Sequence, residues 1–203
     1  MLSGRRLDIL DPSPFDIELE DIAHGLARVA RWNGQTAGDH AFSVAQHAIL
    51  VEAIATGLRP DLDAAGRLAA LLHDAPEYVL GDLITPLKGA VGDAFAAIER
   101  VLLGAVHLRF GLPVDLAPRL RQLVKRADRI AAHLEATGLA GFSAADAVAA
   151  FGEPGPPPAG LEPLLEPWSA GEAERRFRER VAACIAGSPV LASAGVAPHN
   201  LAP

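Results

Sequence analysis

Apolar residues recur at helical spacing along most of the chain, and this periodicity is the strongest constraint on its fold. The stretch 115–137 shows the pattern best, because its apolar side chains fall on one face of a helix. These side chains are Leu116, Leu120, Leu123, Ala127, Ile130, Ala131 and Leu134. No segment of comparable length has the alternating pattern of a strand. The sequence therefore predicts an all-α fold, a single-domain helical bundle.

Turn and capping residues give approximate limits for these helices. Asp16 and Ser43 are candidate N-caps for the first two helices, and Asp61 or Asp63 is a candidate for the third. Ser169 has a glutamate three residues later, which is the spacing of a capping box at the start of the last helix. Segments 81–89 and 152–167 are predicted as loops. The predicted helices are 16–32, 43–57, 61 or 63 to 74, 93–109, 115–137, 142–151 and 169–186.

Length, charge and cysteine content narrow the possible functions. The chain has 203 residues, enough for one domain, and we expect residues 1–186 to form it, with 187–203 as a mobile C-terminal tail. The net charge of −7 argues against a nucleic-acid polymer as partner. Cys184 is the one cysteine, so any metal must be held by histidines and carboxylates. Without a secretory signal or an apolar run of the ~20 residues that a spanning helix needs, a cytoplasmic protein with no membrane partner is expected.

Ionisable residues interrupt the apolar faces of three predicted helices. His73, Asp74 and Glu77 follow a strongly apolar segment, while His47 and Asp128 stand on the apolar sides of two other helices. Burying such groups is costly unless they are paired or bind a cation. Two imidazoles and two carboxylates form a suitable ligand set for a divalent transition-metal ion. The spacing alone leaves a second interpretation open, in which each histidine is a hydrogen-bonded core or surface residue and each aspartate an ion-paired one.

The arrangement of these residues resembles a known signature. His47, His73-Asp74 and Asp128 resemble the H…HD…D pattern of the HD-domain metal-dependent phosphohydrolases. Arg31-Trp32 resembles a pair that contacts the substrate phosphate and sugar in the 5′-deoxynucleotidase branch typified by YfbR. The N-terminal stretch is similar to related phage and proteobacterial members. The resemblance covers about residues 17–136, with specific matches in 43–47, 73–82, 85–88 and 124–128.

This resemblance implies one divalent metal ion, with Mn, Co, Zn, Fe, Ni and Mg all open as its identity. The implied ligands are His47, His73, Asp74 and Asp128. Glu77 would act as acid or base beside the metal-bound water, and Asp82 would help to orient the groups around it.

The resemblance also implies a small-molecule nucleotide substrate. Arg31 would bind its phosphate, Trp32 would form an apolar wall for the sugar or base, and Lys88 would add a charge on the phosphate. The expected reaction converts 5′-deoxynucleoside monophosphates to deoxynucleoside and phosphate. The alternatives are a dNTP triphosphohydrolase and a non-catalytic nucleotide-binding regulatory module. A homodimer is expected, because family members are commonly homo-oligomers.

Overall fold

The computed structural model describes residues 1–189 and residue 191, and within them the chain forms nine α-helices and no β-sheet. The all-α prediction is confirmed. Three short 3₁₀ turns accompany them: Pro14–Asp16 precedes the first helix, and Arg31–Gly34 and Glu162–Leu164 lie between helices. The helices are α1 (Leu19–Leu26), α2 (Val44–Leu58), α3 (Ala64–Leu71), α4 (Glu77–Leu80), α5 (Thr85–Val91), α6 (Asp93–Arg109), α7 (Pro118–Gly138), α8 (Ala144–Phe151) and α9 (Ala170–Ala186).

Helix α2 lies at the centre of the fold. Eleven of its 15 residues are buried, and α1, α3, α7 and α9 all pack against it. It contributes to two clusters of buried apolar side chains, one shared with α1, α3, α6 and α9 and the other shared mainly with α7. Leu68 and Phe177 belong to the first cluster, and Ile54 and Ile130 belong to the second. The polar residues Gln46, His47 and Glu52 of α2 are therefore held away from water.

Three of the predicted helix starts carry the predicted caps. Ser43 caps α2, Asp63 caps α3 and Ser169 caps α9, each accepting a hydrogen bond from the amide three residues later, at 3.2, 2.8 and 3.3 Å. These oxygens satisfy amides that have no partner inside the helix. Local sequence therefore fixes where these helices begin.

The predicted first helix, 16–32, is wrong at both ends. Asp16 lies inside a 3₁₀ turn that Ser13 caps, and α1 begins only at Leu19. Beyond α1 the backbone of Ala30 forms an antiparallel bridge with Ser43. This pairing with the segment just before α2 takes the backbone out of the helical conformation before residue 32.

The predicted third helix ends early, at Leu71. Pro76 has no N–H to donate and disfavours a helical conformation in the residue before it. The chain over 72–78 instead forms successive turn hydrogen bonds between residues three apart, at 3.0 to 3.1 Å. His73 and Asp74 consequently lie in a tight turn between α3 and α4, not in a helix.

A glycine brings α1 and α4 into close contact. A Cβ atom on Gly25 would lie 2.8 Å from both the Cβ and the carbonyl oxygen of Tyr78. Only glycine allows this approach without displacement. Because α4 begins at Glu77, the contact fixes the distance of that residue from the core.

The predicted loop 81–89 is wrong in its second half, which forms the start of α5, with Pro86 in the first turn where its missing N–H is tolerated. Apart from Lys88, which is half-buried, the residues of α5 described with side chains are exposed.

In the predicted tail, Leu191 is buried in the first cluster, while residue 190 and residues 192–203 lie outside the described part of the chain. None of the described helices is long and apolar enough to cross a membrane.

Candidate metal centre and active site

Four predicted ligands from three parts of the fold come together beside α2. His47 comes from α2, His73 and Asp74 from the turn after α3, and Asp128 from α7. His47 Nε2 lies 3.3 Å from Asp128 Oδ1 and 3.6 Å from Asp74 Oδ2, and His73 Nε2 lies 3.1 Å from the same Asp74 oxygen. One candidate ligand atom from each of His47, His73 and Asp128 falls within 4.8 Å of the others. These side chains could hold a metal ion.

Hydrogen bonds at Nδ1, the ring nitrogen that does not face the aspartates, orient the two imidazoles. His47 Nδ1 donates to Glu135 Oε1 at 2.5 Å, and His73 Nδ1 donates to the carbonyl oxygen of Ala70 at 2.9 Å. Each ring therefore turns its Nε2 toward the aspartates. Both Nε2 atoms are buried and form no hydrogen bond with a described residue. Buried imidazole nitrogens of this kind, next to carboxylates, fit a divalent transition-metal ion.

Charge in the cluster also favours a cation. Burial and the nearby Arg31 lower the pKa of His47, but the carboxylates of Glu135 and Asp128 outweigh them and raise it to about 10. Burial raises the pKa of Asp128, but the contact with His47 more than offsets this, so the net shift is downward. The carboxylates thus stay ionised and draw protons onto the imidazoles. A divalent cation bound at the imidazole nitrogens would release those protons.

Glu77 is a buried carboxyl group beside this cluster. Its Oε1 accepts a hydrogen bond from Lys88 Nζ at 3.3 Å, and its Oε2 is buried with no hydrogen-bond partner among the described residues. Lys88 also donates to Glu99, at 3.1 Å. Burial, together with Asp74 and Asp82, raises the pKa of Glu77 to about 8. In the cation-free protein the group therefore carries a proton near neutral pH, as a general acid requires.

Arg31 lies in the 3₁₀ turn before α2 and is held from two sides. Its Nε donates to Glu135 Oε2 at 3.2 Å, and its Nη1 donates to Asp82 Oδ2 at 3.3 Å. Its Nη2 forms no hydrogen bond within the part of the chain that is described. A guanidinium fixed in this way with one free end is suited to a phosphate group.

Trp32 forms an aromatic wall next to Arg31. Its backbone has a positive φ of 57°, and that of Asn33 has a φ of 52°, so the turn is left-handed at two residues that carry a Cβ. The indole packs edge-on against Phe142 and Phe151, with ring centroids 5.5 and 5.8 Å away. Neither phenylalanine was predicted to lie near the site, because no short motif includes them.

Glu135 is the functional candidate that the sequence interpretation missed. It is completely buried on α7, and its carboxylate accepts hydrogen bonds from His47, Arg31 and Trp32. A signal for it existed, because it stands seven residues, or two helical turns, after Asp128 on the same apolar stripe. Asp128 was singled out as a charged residue on an apolar helix face, and the same criterion selects Glu135.

One family and two relatives are similar to this chain. The sequence model of a family described as 5′-deoxynucleotidase YfbR-like matches residues 22–151. An uncharacterized protein of Rhodobacter capsulatus is 59% identical over 156 residues, which cover 77% of this chain and 80% of that protein. The uncharacterized protein YfdR of Escherichia coli K12 is 35% identical over 115 residues, 57% of each chain. The family match spans all four candidate ligands and Glu135.

Proposed function

Because the chain belongs to the YfbR-like 5′-deoxynucleotidase family, we propose that it hydrolyses 5′-deoxynucleoside monophosphates to a deoxynucleoside and inorganic phosphate. The family supports a nucleotidase-type phosphohydrolase, and the activity in its name favours the monophosphate reaction. The observation that carries the proposal is the pair of buried Nε2 atoms of His47 and His73, which have no hydrogen-bond partner among the described residues. Arg31 and Trp32 are held beside His47 by the partner that all three share, Glu135.

In this proposal one divalent ion is held by four side chains. His47 and His73 supply Nε2, which both rings already turn toward the cluster, and the carboxylates come from Asp74 and Asp128. When bound, such an ion lowers the pKa of a water molecule and neutralises charge on phosphoryl oxygens. Mn, Co, Zn, Fe, Ni and Mg are the candidate ions.

Arg31 and Trp32 are proposed to bind the nucleotide. The free Nη2 edge of Arg31 supplies N–H donors for phosphate oxygens, and Asp82 fixes the guanidinium through Nη1 so that this edge is presented without further ordering. The indole of Trp32, held by its aromatic neighbours, supplies apolar surface for the sugar or base.

Glu77 is proposed to handle the proton. Cleavage of the phosphate ester leaves a sugar alkoxide, which requires a proton as the bond to phosphorus breaks. The pKa of Glu77 is raised to about 8 in the cation-free protein, which suits the carboxyl group to hold this proton, and its buried Oε2, which has no partner among the described residues, is the atom that would donate it. Lys88 holds the other oxygen of the group. That Lys88 also binds the substrate phosphate stays a prediction.

The proposal is tested by stripping the purified protein with a chelator and measuring phosphate release from each of the four common deoxynucleoside monophosphates. The stripped protein should be inactive, and Mn²⁺ or Co²⁺ should restore turnover. Activity that survives stripping would overturn the metal dependence. Release of tripolyphosphate from dATP, with no phosphate from any monophosphate, would assign the chain to the triphosphohydrolases instead.

A matched pair of variants tests the role of Glu77. Glu77 and Glu99 both accept a hydrogen bond from Lys88 Nζ, but Glu77 is 2% exposed, whereas the Glu99 side chain is 30% exposed. Glu77→Gln should lower kcat by roughly 10² to 10⁴-fold, the usual contribution of a general acid or base. Glu99→Gln should retain most activity. Equal losses in the two variants would mean that the shared contact with Lys88, and not proton transfer, explains the effect.

A further inference from the structure

We propose that Glu135 is a positioning residue that couples the ion site to the nucleotide site, a role that rests on the proposed function. Its carboxylate lies between His47 on one side and Arg31 and Trp32 on the other. One oxygen contacts a candidate ligand, and the other contacts both residues proposed to bind the nucleotide. The two halves of the site therefore share one buried anchor.

The contact with His47 orients a metal ligand. Glu135 Oε1 and His47 Nδ1 are 2.5 Å apart, and both side chains are fully buried. Because an ionised carboxylate can only accept hydrogen bonds, it keeps a proton on Nδ1 and leaves Nε2 to face Asp74 and Asp128. Removing such a partner from a ligating histidine typically weakens metal binding about 10 to 100-fold.

The contacts with Arg31 and Trp32 shape the nucleotide side. Glu135 Oε2 accepts from Trp32 Nε1 at 2.9 Å and from Arg31 Nε at 3.2 Å. Both donors belong to the turn in which Trp32 and Asn33 have left-handed backbone conformations. Such conformations are unfavourable for residues with a Cβ and persist where surrounding contacts impose them. Glu135 supplies two of those contacts.

Glutamine at position 135 cannot replace this carboxylate. The three groups around it are all donors, whereas an amide has one accepting oxygen and one donating NH₂ group. If the amide oxygen faces His47, its NH₂ group meets the donors of Arg31 and Trp32. If it faces those donors, the NH₂ group meets His47 Nδ1 and drives the proton onto Nε2. Either orientation sets donor against donor in one half of the site, and in both the His47 ring loses the negatively charged partner that supports it as a metal ligand.

Glu52 provides a matched control for general effects of losing a buried charge. It is as completely buried as Glu135, and it forms ion pairs with Arg67 at 2.6 Å and Arg180 at 2.5 Å. Its two partners lie on α3 and α9 and are not candidate site residues. Glu52→Gln therefore reports the loss of a buried carboxylate charge without touching the ion or nucleotide side chains.

The metal side of the coupling is tested by titrating the metal-stripped protein with Zn²⁺ alone and measuring binding by calorimetry. Glu135→Gln should weaken Zn²⁺ binding about 10 to 100-fold, whereas Glu52→Gln should leave it unchanged even if it lowers the melting temperature. In the Mn²⁺-loaded enzyme Glu135→Gln should also raise KM for dAMP. Zn²⁺ binding by Glu135→Gln equal to that of Glu52→Gln would overturn the proposal.

A measurement on the unmutated chain keeps the test decisive if Glu135→Gln fails to fold. The chain contains two tryptophans, so the indole N–H signal of Trp32 can be assigned in an NMR spectrum by its loss in Trp32→Phe. Zn²⁺ should shift this signal, because the ion changes the charge on His47 and hence the carboxylate that Trp32 contacts. The Trp168 signal serves as the internal control. A Trp32 signal that does not shift at saturating Zn²⁺ would refute the coupling.

The Zn²⁺ readouts also separate this inference from the proposed function. If no deoxynucleotide is hydrolysed but Zn²⁺ still shifts the Trp32 signal, the reaction assignment fails and the coupling through Glu135 stands. If deoxynucleotides are hydrolysed and Zn²⁺ binding is unaffected in Glu135→Gln, the coupling fails and the reaction assignment stands.

Discussion

Replacing Gly25 with alanine should push α4 away from α1 and disturb the site without touching any polar residue in it. The new Cβ would lie 2.8 Å from the Tyr78 Cβ and carbonyl oxygen and 3.1 Å from its Cα. Carbon atoms in favourable contact lie about 3.5 to 4.0 Å apart, so one helix must move by roughly 0.7 Å or more. Two of the three close atoms belong to the backbone of Tyr78, so a side-chain rotation cannot relieve the overlap.

The expected cost follows from two opposing effects. Overpacking of this kind costs about 1 to 3 kcal/mol. Alanine in a helix regains about 0.5 to 1 kcal/mol over glycine. The difference is a loss of up to about 2.5 kcal/mol in the free energy of unfolding, centred near 1 kcal/mol, and the central value corresponds to a fall in Tm of roughly 2 to 4 °C for a chain of this size.

Activity should fall further than stability suggests. Glu77 directly precedes Tyr78, and a misplacement of about 1 Å at a reacting group can cost about 100-fold in rate. Gly171→Ala is the control, because Gly171 is also helical and no described atom lies within 4 Å of the position that its Cβ would take. It should leave activity unchanged and stability equal or higher. Thermal unfolding and dAMP hydrolysis measure both effects, and a Gly25→Ala variant as stable and active as Gly171→Ala would refute the packing explanation.

Two further predictions concern charges in the site. Arg31→Lys should lower kcat/KM for dAMP about 100-fold, since an ammonium group cannot reproduce the planar contacts with Glu135 and Asp82 and still present a fork to phosphate; a loss under fivefold in steady-state assays would contradict this. In the cation-free protein burial raises the pKa of Glu77 from 4.5 to about 8, so the folded state binds this proton more tightly than the unfolded state. The free energy of unfolding of the unmutated chain, relative to Glu77→Gln, should therefore fall as pH rises from about 4.5 to about 8, by at most ~1.4 kcal/mol per pH unit, and then level off. Urea unfolding across that range measures the difference, and a difference independent of pH would contradict the shift.

Features encoded within a few residues could be predicted from sequence. The caps at Ser43 and Ser169 depend on an oxygen and an amide three residues apart, so local spacing was sufficient. Charged residues on apolar helix faces marked His47 and Asp128 as candidates that need a partner, and the resemblance to the HD-domain signature supplied the full ligand set. The caps and the charged positions on apolar faces need only local spacing, and no knowledge of how the helices pack.

Features that depend on distant contacts could not be predicted in the same way. Arg31 is bound by Asp82, 51 residues later in the chain, and by Glu135, 104 residues later. The first helix stops where Ala30 pairs with Ser43, and that pairing exists only because the segment before α2 folds back alongside. No local pattern at residue 30 specifies this arrangement.

The burial of α2 has a kinetic consequence for the site. Amide hydrogens in so enclosed a helix exchange with solvent when the whole domain unfolds, whereas those of a short exposed helix exchange through local opening. We therefore expect the backbone around His47 to be among the slowest-exchanging of the described residues, and the backbone around Lys88, on α5, to be among the fastest. The hydrogen bond from Lys88 to Glu77 should open and close many times before the backbone around His47 is exposed once.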